Sequence, residues 1–232
     1  MRRFLQFTLM PGMLSLLVVW LTACGALVTS PSPPINATGS TAITRPYPTP
    51  GPTQTIYSNA LTQQAAGWAK SPTCVFTSNG LVVRPDGGQA YLCLAPASPP
   101  GDLAVGVTVQ QKSGANNQAF GIAFHHISPK NYYFFGIDGR GRFTATVVVN
   151  DVKQIVIPFT SNAAIHTGTN ATNRLQVIAK GQTMTFLVNS VAVGQATLST
   201  FANGTVGLRG ISNGEVVFQQ LSISSVRVGT NS

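Results

Sequence analysis

The sequence predicts an all-β sandwich, and three observations predict it. Apolar side chains recur at every second residue: Val105, Val107, Val109; Phe120, Ile122, Phe124; Leu175, Val177, Ala179; Met184, Phe186, Val188. Period two puts each series on one face of a strand. Between the series stand turn-forming clusters, at 85–88, 113–117, 138–141, 180–181, 203–204 and 213–214. Helical periodicity is nearly absent, with a single suggested turn at Ser58–Ala66. Short alternating strands at turn-punctuated intervals make two packed antiparallel sheets the economical solution.

The chain is 232 residues long and its texture changes twice. Residues 1–23 begin Met1-Arg2-Arg3 and continue as an uncharged, Leu-rich run into Leu21-Thr22-Ala23-Cys24. A basic start, an apolar stretch and small residues before a cysteine resemble a bacterial lipoprotein signal. The resemblance implies lipidation at Cys24, a membrane tether through that lipid alone, and a location facing the extracytoplasmic side. An uncleaved anchor is the alternative, since the uncharged run is long enough to span a bilayer. Residues 24–55 hold Pro31, Pro33, Pro34, Pro46, Pro48, Pro50 and Pro52 among Ser, Thr and Gly. Such a segment has little to bury and reads as an extended spacer. The sandwich is assigned to residues 56–232.

Composition narrows the chemistry. Fourteen Lys and Arg face five acids, a net charge of +9 that falls to +7 if Arg2 and Arg3 leave with the signal. The cations are dispersed, which does not describe a nucleic-acid footprint. The acids are Asp86, Asp102, Asp138, Asp151 and Glu215. Glycosidases use paired carboxylates and calcium sites use several oxygens. With no clustered acids, neither a catalytic residue nor a cofactor or metal is assigned, although Asp86, Asp102 and Asp138 keep calcium conceivable. Cys74 and Cys93 remain as an even pair, read as a disulfide closing a loop of about twenty residues; a metal or redox role is the weaker alternative.

From Ala119 to Ile223 the chain has a recognisable order. Phe120-Gly121-Ile122-Ala123-Phe124 leads to Asn131-Tyr132-Tyr133-Phe134-Phe135-Gly136-Ile137. Asn173-Arg174-Leu175-Gln176-Val177 and Met184-Thr185-Phe186-Leu187-Val188-Asn189 follow, then Gly204-Thr205-Val206-Gly207-Leu208 and Val216-Val217-Phe218. This order resembles the concanavalin A-like lectin/glucanase jelly rolls, and within them the laminin-G-like and 3-keto-disaccharide hydrolase-type domains. The resemblance implies a surface module that binds a carbohydrate or another surface polymer. It also leaves open a glycoside hydrolase or lyase, and a structural module with a protein partner. The glucanases of that fold carry alternating acids on one strand; no such run exists here.

The ligand-binding candidates are Tyr133, Phe135, His125, Asn131, Arg140 and Arg142. Tyr132–Phe135 divide two and two between strand faces, and one pair is expected to face a sugar. His125 and Asn131 flank the turn that precedes or ends these strands, and Arg140 and Arg142 flank Gly141 in the next turn, where they suit an anionic group. His166 lies too far off in sequence to complete a zinc site with His125 and His126.

Overall fold

A computed structural model describes residues 53–69, 71–84 and 91–226. Cys24, the signal, the spacer up to 52 and Asp86 lie outside the described residues. Fourteen strands are found among the residues described: β1 (Thr53–Asn59), β2 (Cys74–Thr77), β3 (Gly80–Val83), β4 (Leu92–Leu94), β5 (Leu103–Gln111), β6 (Phe120–Ser128), β7 (Asn131–Ile137), β8 (Arg142–Val149), β9 (Val152–Ser161), β10 (Thr172–Lys180), β11 (Thr183–Val188), β12 (Val191–Thr197), β13 (Thr205–Arg209) and β14 (Val216–Val226). Every pairing is antiparallel. One sheet runs β12-β11-β10-β5-β14-β3-β2, with β1 also on β14; the other runs β4-β13-β6-β7-β8-β9. This is the two-sheet sandwich that the period-two series predict.

The series meet face to face. Val105, Val107, Val109, Leu175, Val177, Met184 and Phe186 point inward from the first sheet. Phe120, Ile122, Phe124, Phe143, Ala145, Val147, Val206 and Leu208 answer from the second. Phe135 stacks on Phe186 with ring centroids 4.8 Å apart, joining the two layers. Cys74 of β2 is bonded to Cys93 of β4, so the disulfide clasps an edge strand of one sheet to an edge strand of the other. Trp68 closes the same edge, donating from Nε1 to the Tyr57 hydroxyl at 2.7 Å and meeting Phe76 edge-on.

Two expectations differ from the structure. Ser58–Ala66 forms no helical turn. Ser58 and Asn59 finish β1, the Asn59 side chain accepts from the Leu61 amide at 2.7 Å, and Leu61, with φ of 64°, drops into the core. This Asx turn competes with helix, as Asn side chains do. The sandwich also starts earlier than residue 56. Thr53 to Thr55 pair with Val226 to Ser224, because β-branched residues suit a strand even at the end of a Pro-rich stretch.

Candidate functional site

The outward face of the six-stranded sheet can be built from its register. One row of aligned residues is Leu94, Gly207, Ala123, Phe134, Thr146 and Ile155, reading from β4 to β9. The neighbouring row is Arg209, Gly121, Gly136 and Thr144. Around Phe134 the middle strands present Gly, Ala and Thr, while Leu94, Arg209 and Ile155 stand toward the flanks. The Phe134 ring lies flat over Gly136, so the centre stays low between larger flanks and makes a trough. A cavity of about 630 Å³ lies there, within the usual range for small-ligand sites.

Its floor depends on Gly136. A Cβ at that position would sit 2.5 Å from Phe134 Cζ and 2.7 Å from the Phe120 carbonyl oxygen. The Phe134 ring therefore lies back along its own strand, over Gly136. Arg209 reaches across β6 and places its guanidinium carbon 4.7 Å from the Phe134 ring centroid. Burial lowers the Arg209 pKa from its ordinary value, since a charge removed from water is disfavoured. One wall is Ile155, Pro158 and Phe159 of β9, with Ile155 65% and Phe159 41% exposed. One end is closed by two loops, where Gln118 Oε1 accepts from the Ser212 amide and hydroxyl at 2.9 and 2.7 Å. The site offers apolar surface, the exposed Phe159 ring and cations in one trough, while Phe134 (1% exposed) lies under Arg209 and the Thr144 hydroxyl donates to the Ile157 carbonyl. No acid of the described residues lines it.

The sequence candidates fall in four places. Tyr133 and Phe135 are both 0% exposed, which corrects their assignment to a ligand. They face the other sheet, and the Tyr133 hydroxyl accepts from the Phe201 amide at 2.7 Å. The aromatic run does split between faces, but the outward pair is Tyr132 and Phe134. His125 is also buried, with Nδ1 3.0 Å from the Phe201 carbonyl and Nε2 2.9 Å from that of Gly101. It pins two loops together instead of lining the trough. Desolvation lowers its pKa and that of His126, outweighing the carbonyl contacts that raise His125. Asn131 is half-buried and tied up: its amide nitrogen donates to Ser128 Oγ at 3.0 Å and its oxygen accepts from the Asn150 amide at 3.0 Å. It locks the β6–β7 and β8–β9 hairpins together.

Arg140 is exposed at the β7–β8 turn and its backbone amide donates to Asp138. Arg142 stands beside the trough. Its Nε donates to the fully buried Asp138 carboxylate at 2.8 Å, with Nη2 making a second bond. Its guanidinium carbon lies 4.5 Å from the Phe159 ring centroid. Arg142 thus orients a wall ring while its donors serve Asp138.

Among the described residues the acids are spent elsewhere: Asp138 on Arg142, Glu215 on Arg84 at 3.8 Å, Asp102 on the Gly181 amide at 2.7 Å. Asp151 lies in the β8–β9 turn, at the opposite end of β8 from Asp138. No group of three or more His, Cys, Asp or Glu that could hold a metal occurs among the described residues.

Sequence reasoning missed Phe134, Arg209, Lys153, Thr146, Ile155 and Phe159. A signal for some of them existed. With Val206 and Leu208 inward, alternation puts Gly207 and Arg209 outward, and a short β6–β7 hairpin aligned on Phe124 puts odd-numbered Tyr133 and Phe135 inward.

No protein-family model matches the chain, and no curated protein matches it by sequence. Solved structures do match by shape. The carbohydrate-binding module CBM66 from Bacillus subtilis superposes with a TM-score of 0.56 at 20% identity, covering 75% of this chain and 95% of that one. A Bacillus subtilis protein of unknown function with a galectin-like fold gives 0.53 at 10% identity, over 77% and 99%. A functionally unknown Saccharomyces cerevisiae protein gives 0.52 at 15%, over 70% and 96%. The chain has a galectin-like β-sandwich fold. At these identities the likeness speaks for architecture alone.

Proposed function

We propose that this protein is a carbohydrate-binding module, held to a membrane by lipid at Cys24 and facing the extracytoplasmic side, that takes a glycan in the trough of its six-stranded sheet. One observation carries the reading. Gly121, Gly136 and Thr144 in one row, and Gly207, Ala123 and Thr146 in the next, are small, and beside them a cavity of about 630 Å³ opens against the exposed Phe159 ring. Sugars have apolar C–H faces and polar edges, so a binding site needs flat rings beside hydroxyl and cationic donors. Phe159, exposed and steadied by Arg142, supplies a ring wall. Similarity in shape to a carbohydrate-binding module supports the same reading.

The test is retention of the purified full chain on a panel of soluble and insoluble polysaccharides, with released sugars assayed in the same tubes. Retention without products, weakened severalfold by Phe159→Ala through loss of about 1 kcal/mol of ring contact, supports a binding module. Products would make the protein an enzyme and overturn the reading. Absence of retention on any glycan would shift weight to a structural module with a protein partner.

A further inference from the structure

Arg209 is a half-buried cation of the trough whose donors the packing leaves unpaired. A guanidinium carries five N–H donors, and partial withdrawal from water makes an anionic partner more favourable. The two ion pairs found among the described residues, Arg84–Glu215 and Arg142–Asp138, leave Arg209 out. Nor does its guanidinium make any hydrogen bond to a described residue. It stands on the Phe134 ring, which holds the cation by its π face, and Tyr132 lies near enough to favour its charge; the N–H edges are left unused.

A second cation lines the same cavity. Lys153 of β9 is exposed and lies four strand spacings from β13, roughly 19 Å between backbones. Both side chains are long enough to lean toward the sheet centre. The trough thus has a cation from each flank, and no described carboxylate lines it to neutralise either. In a chain with so few acids, the missing negative charge is left for a ligand.

The geometry points to a glycan whose sugar units carry carboxylates, a uronic-acid polymer, with Arg209 as the carboxylate receptor and Lys153 as a second contact along the chain. The planar fork of Arg matches a carboxylate bidentately, whereas a Lys ammonium acts as a point charge. Phe134 orients the guanidinium, and the cavity of about 630 Å³ leaves room beside it for a sugar ring. This inference rests on the glycan-binding reading above and adds the charge of the ligand to it.

Polygalacturonate and alginate, each paired with its carboxyl-reduced neutral form, provide the test. Binding to the full chain is measured at ~0.15 M salt, where a Debye length of about 8 Å suppresses distant charges. The expected result is retention on at least one acidic polymer and binding roughly tenfold or more weaker to its reduced form, as loss of a charge-assisted bond predicts. Arg209→Gln should weaken acidic binding by a similar factor. Lys153→Gln, at an exposed position that does not threaten folding, should weaken it severalfold. Lys180→Gln, which removes the same charge from the end of β10 in the other sheet, should change it less than about twofold. Equal binding to acidic and reduced polymers would overturn the carboxylate inference and leave the glycan module standing. Equal losses in Lys180→Gln and Lys153→Gln would also overturn it, assigning the attraction to net charge. Failure to bind these polymers or any neutral glycan would remove both readings together.

Discussion

Removing the Asp138 carboxylate should separate a structural role for Arg142 from a ligand-binding one. Asp138 is fully buried at its side chain. It accepts from the Arg140 amide at 3.0 Å, from the Arg142 amide at 3.0 Å, and from two nitrogens of the Arg142 guanidinium. Asp138→Ala orphans two backbone donors and strands a cation. Breaking a buried pair costs about 3–5 kcal/mol, and the lower end applies because the Arg142 side chain keeps 28% exposure and regains water. For a domain of this size that is a fall in Tm of roughly 6–12 °C. Arg142→Lys should lose part of the same stability, since an ammonium cannot replace the fork. The assay is thermal unfolding followed by tryptophan fluorescence, with urea midpoints as a second measure. A shift below about 2 °C in Asp138→Ala would refute the reasoning and return Arg142 to the ligand-binding candidates.

Three further outcomes are expected. Gly136→Ala should push the Phe134 ring off the floor, costing about 1–3 kcal/mol by overpacking and weakening glycan retention; unchanged retention with a normal fold would show that the floor is not the site. Cys74→Ser with Cys93→Ser should lower stability by about 3 kcal/mol, because the bridge closes a separation of 19 residues and joins the two sheets; unaltered urea midpoints would contradict this. Acidification should destabilise the protein. Burial lowers the pKa of His125 and His126 below the ordinary 6.5, so below pH 6.5 the unfolded chain binds more protons than the folded one and stability falls with pH until the folded values are passed. Urea midpoints at pH 7.5 and 5 measure it for the wild type and for His125→Gln, which should show a smaller fall; a rise on acidification would mean that the carbonyls of Gly101 and Phe201 hold His125 charged.

How the sequence related to the site is clearest in the aromatic run. Its alternation required two residues per face, and the structure has two per face. Which pair faced the solvent depended on the register with β6, where Phe124 aligns with Tyr133 across a bulge at His125. That bulge shifts the pairing by two residues and preserves parity, so the inward choice of Tyr133 and Phe135 was legible from Phe124 once β6 and β7 were taken as neighbours. Arg142 was singled out for its place in a turn. Its partner Asp138, four residues earlier, was visible in the sequence; the burial that turns their contact into a structural bond was not.

The sequence by itself determined the two-sheet sandwich, the inward faces of the period-two series at 105–109, 120–124, 175–179 and 184–188, and a disulfide as the default reading of Cys74 and Cys93. These follow from local rules: period two for strands, Gly and Asn for turns, and an even number of cysteines once Cys24 is set aside. Only the tertiary structure decided the trough. Arg209, Phe134, Thr146 and Ile155 come from four different strands, and they share a site because β13, β6, β7, β8 and β9 lie side by side in that order. Strand order is fixed by long-range packing of the two sheets, and no window of the chain contains it. The glycines that open the floor look like ordinary breaks in a strand until the neighbouring strands show what passes over them.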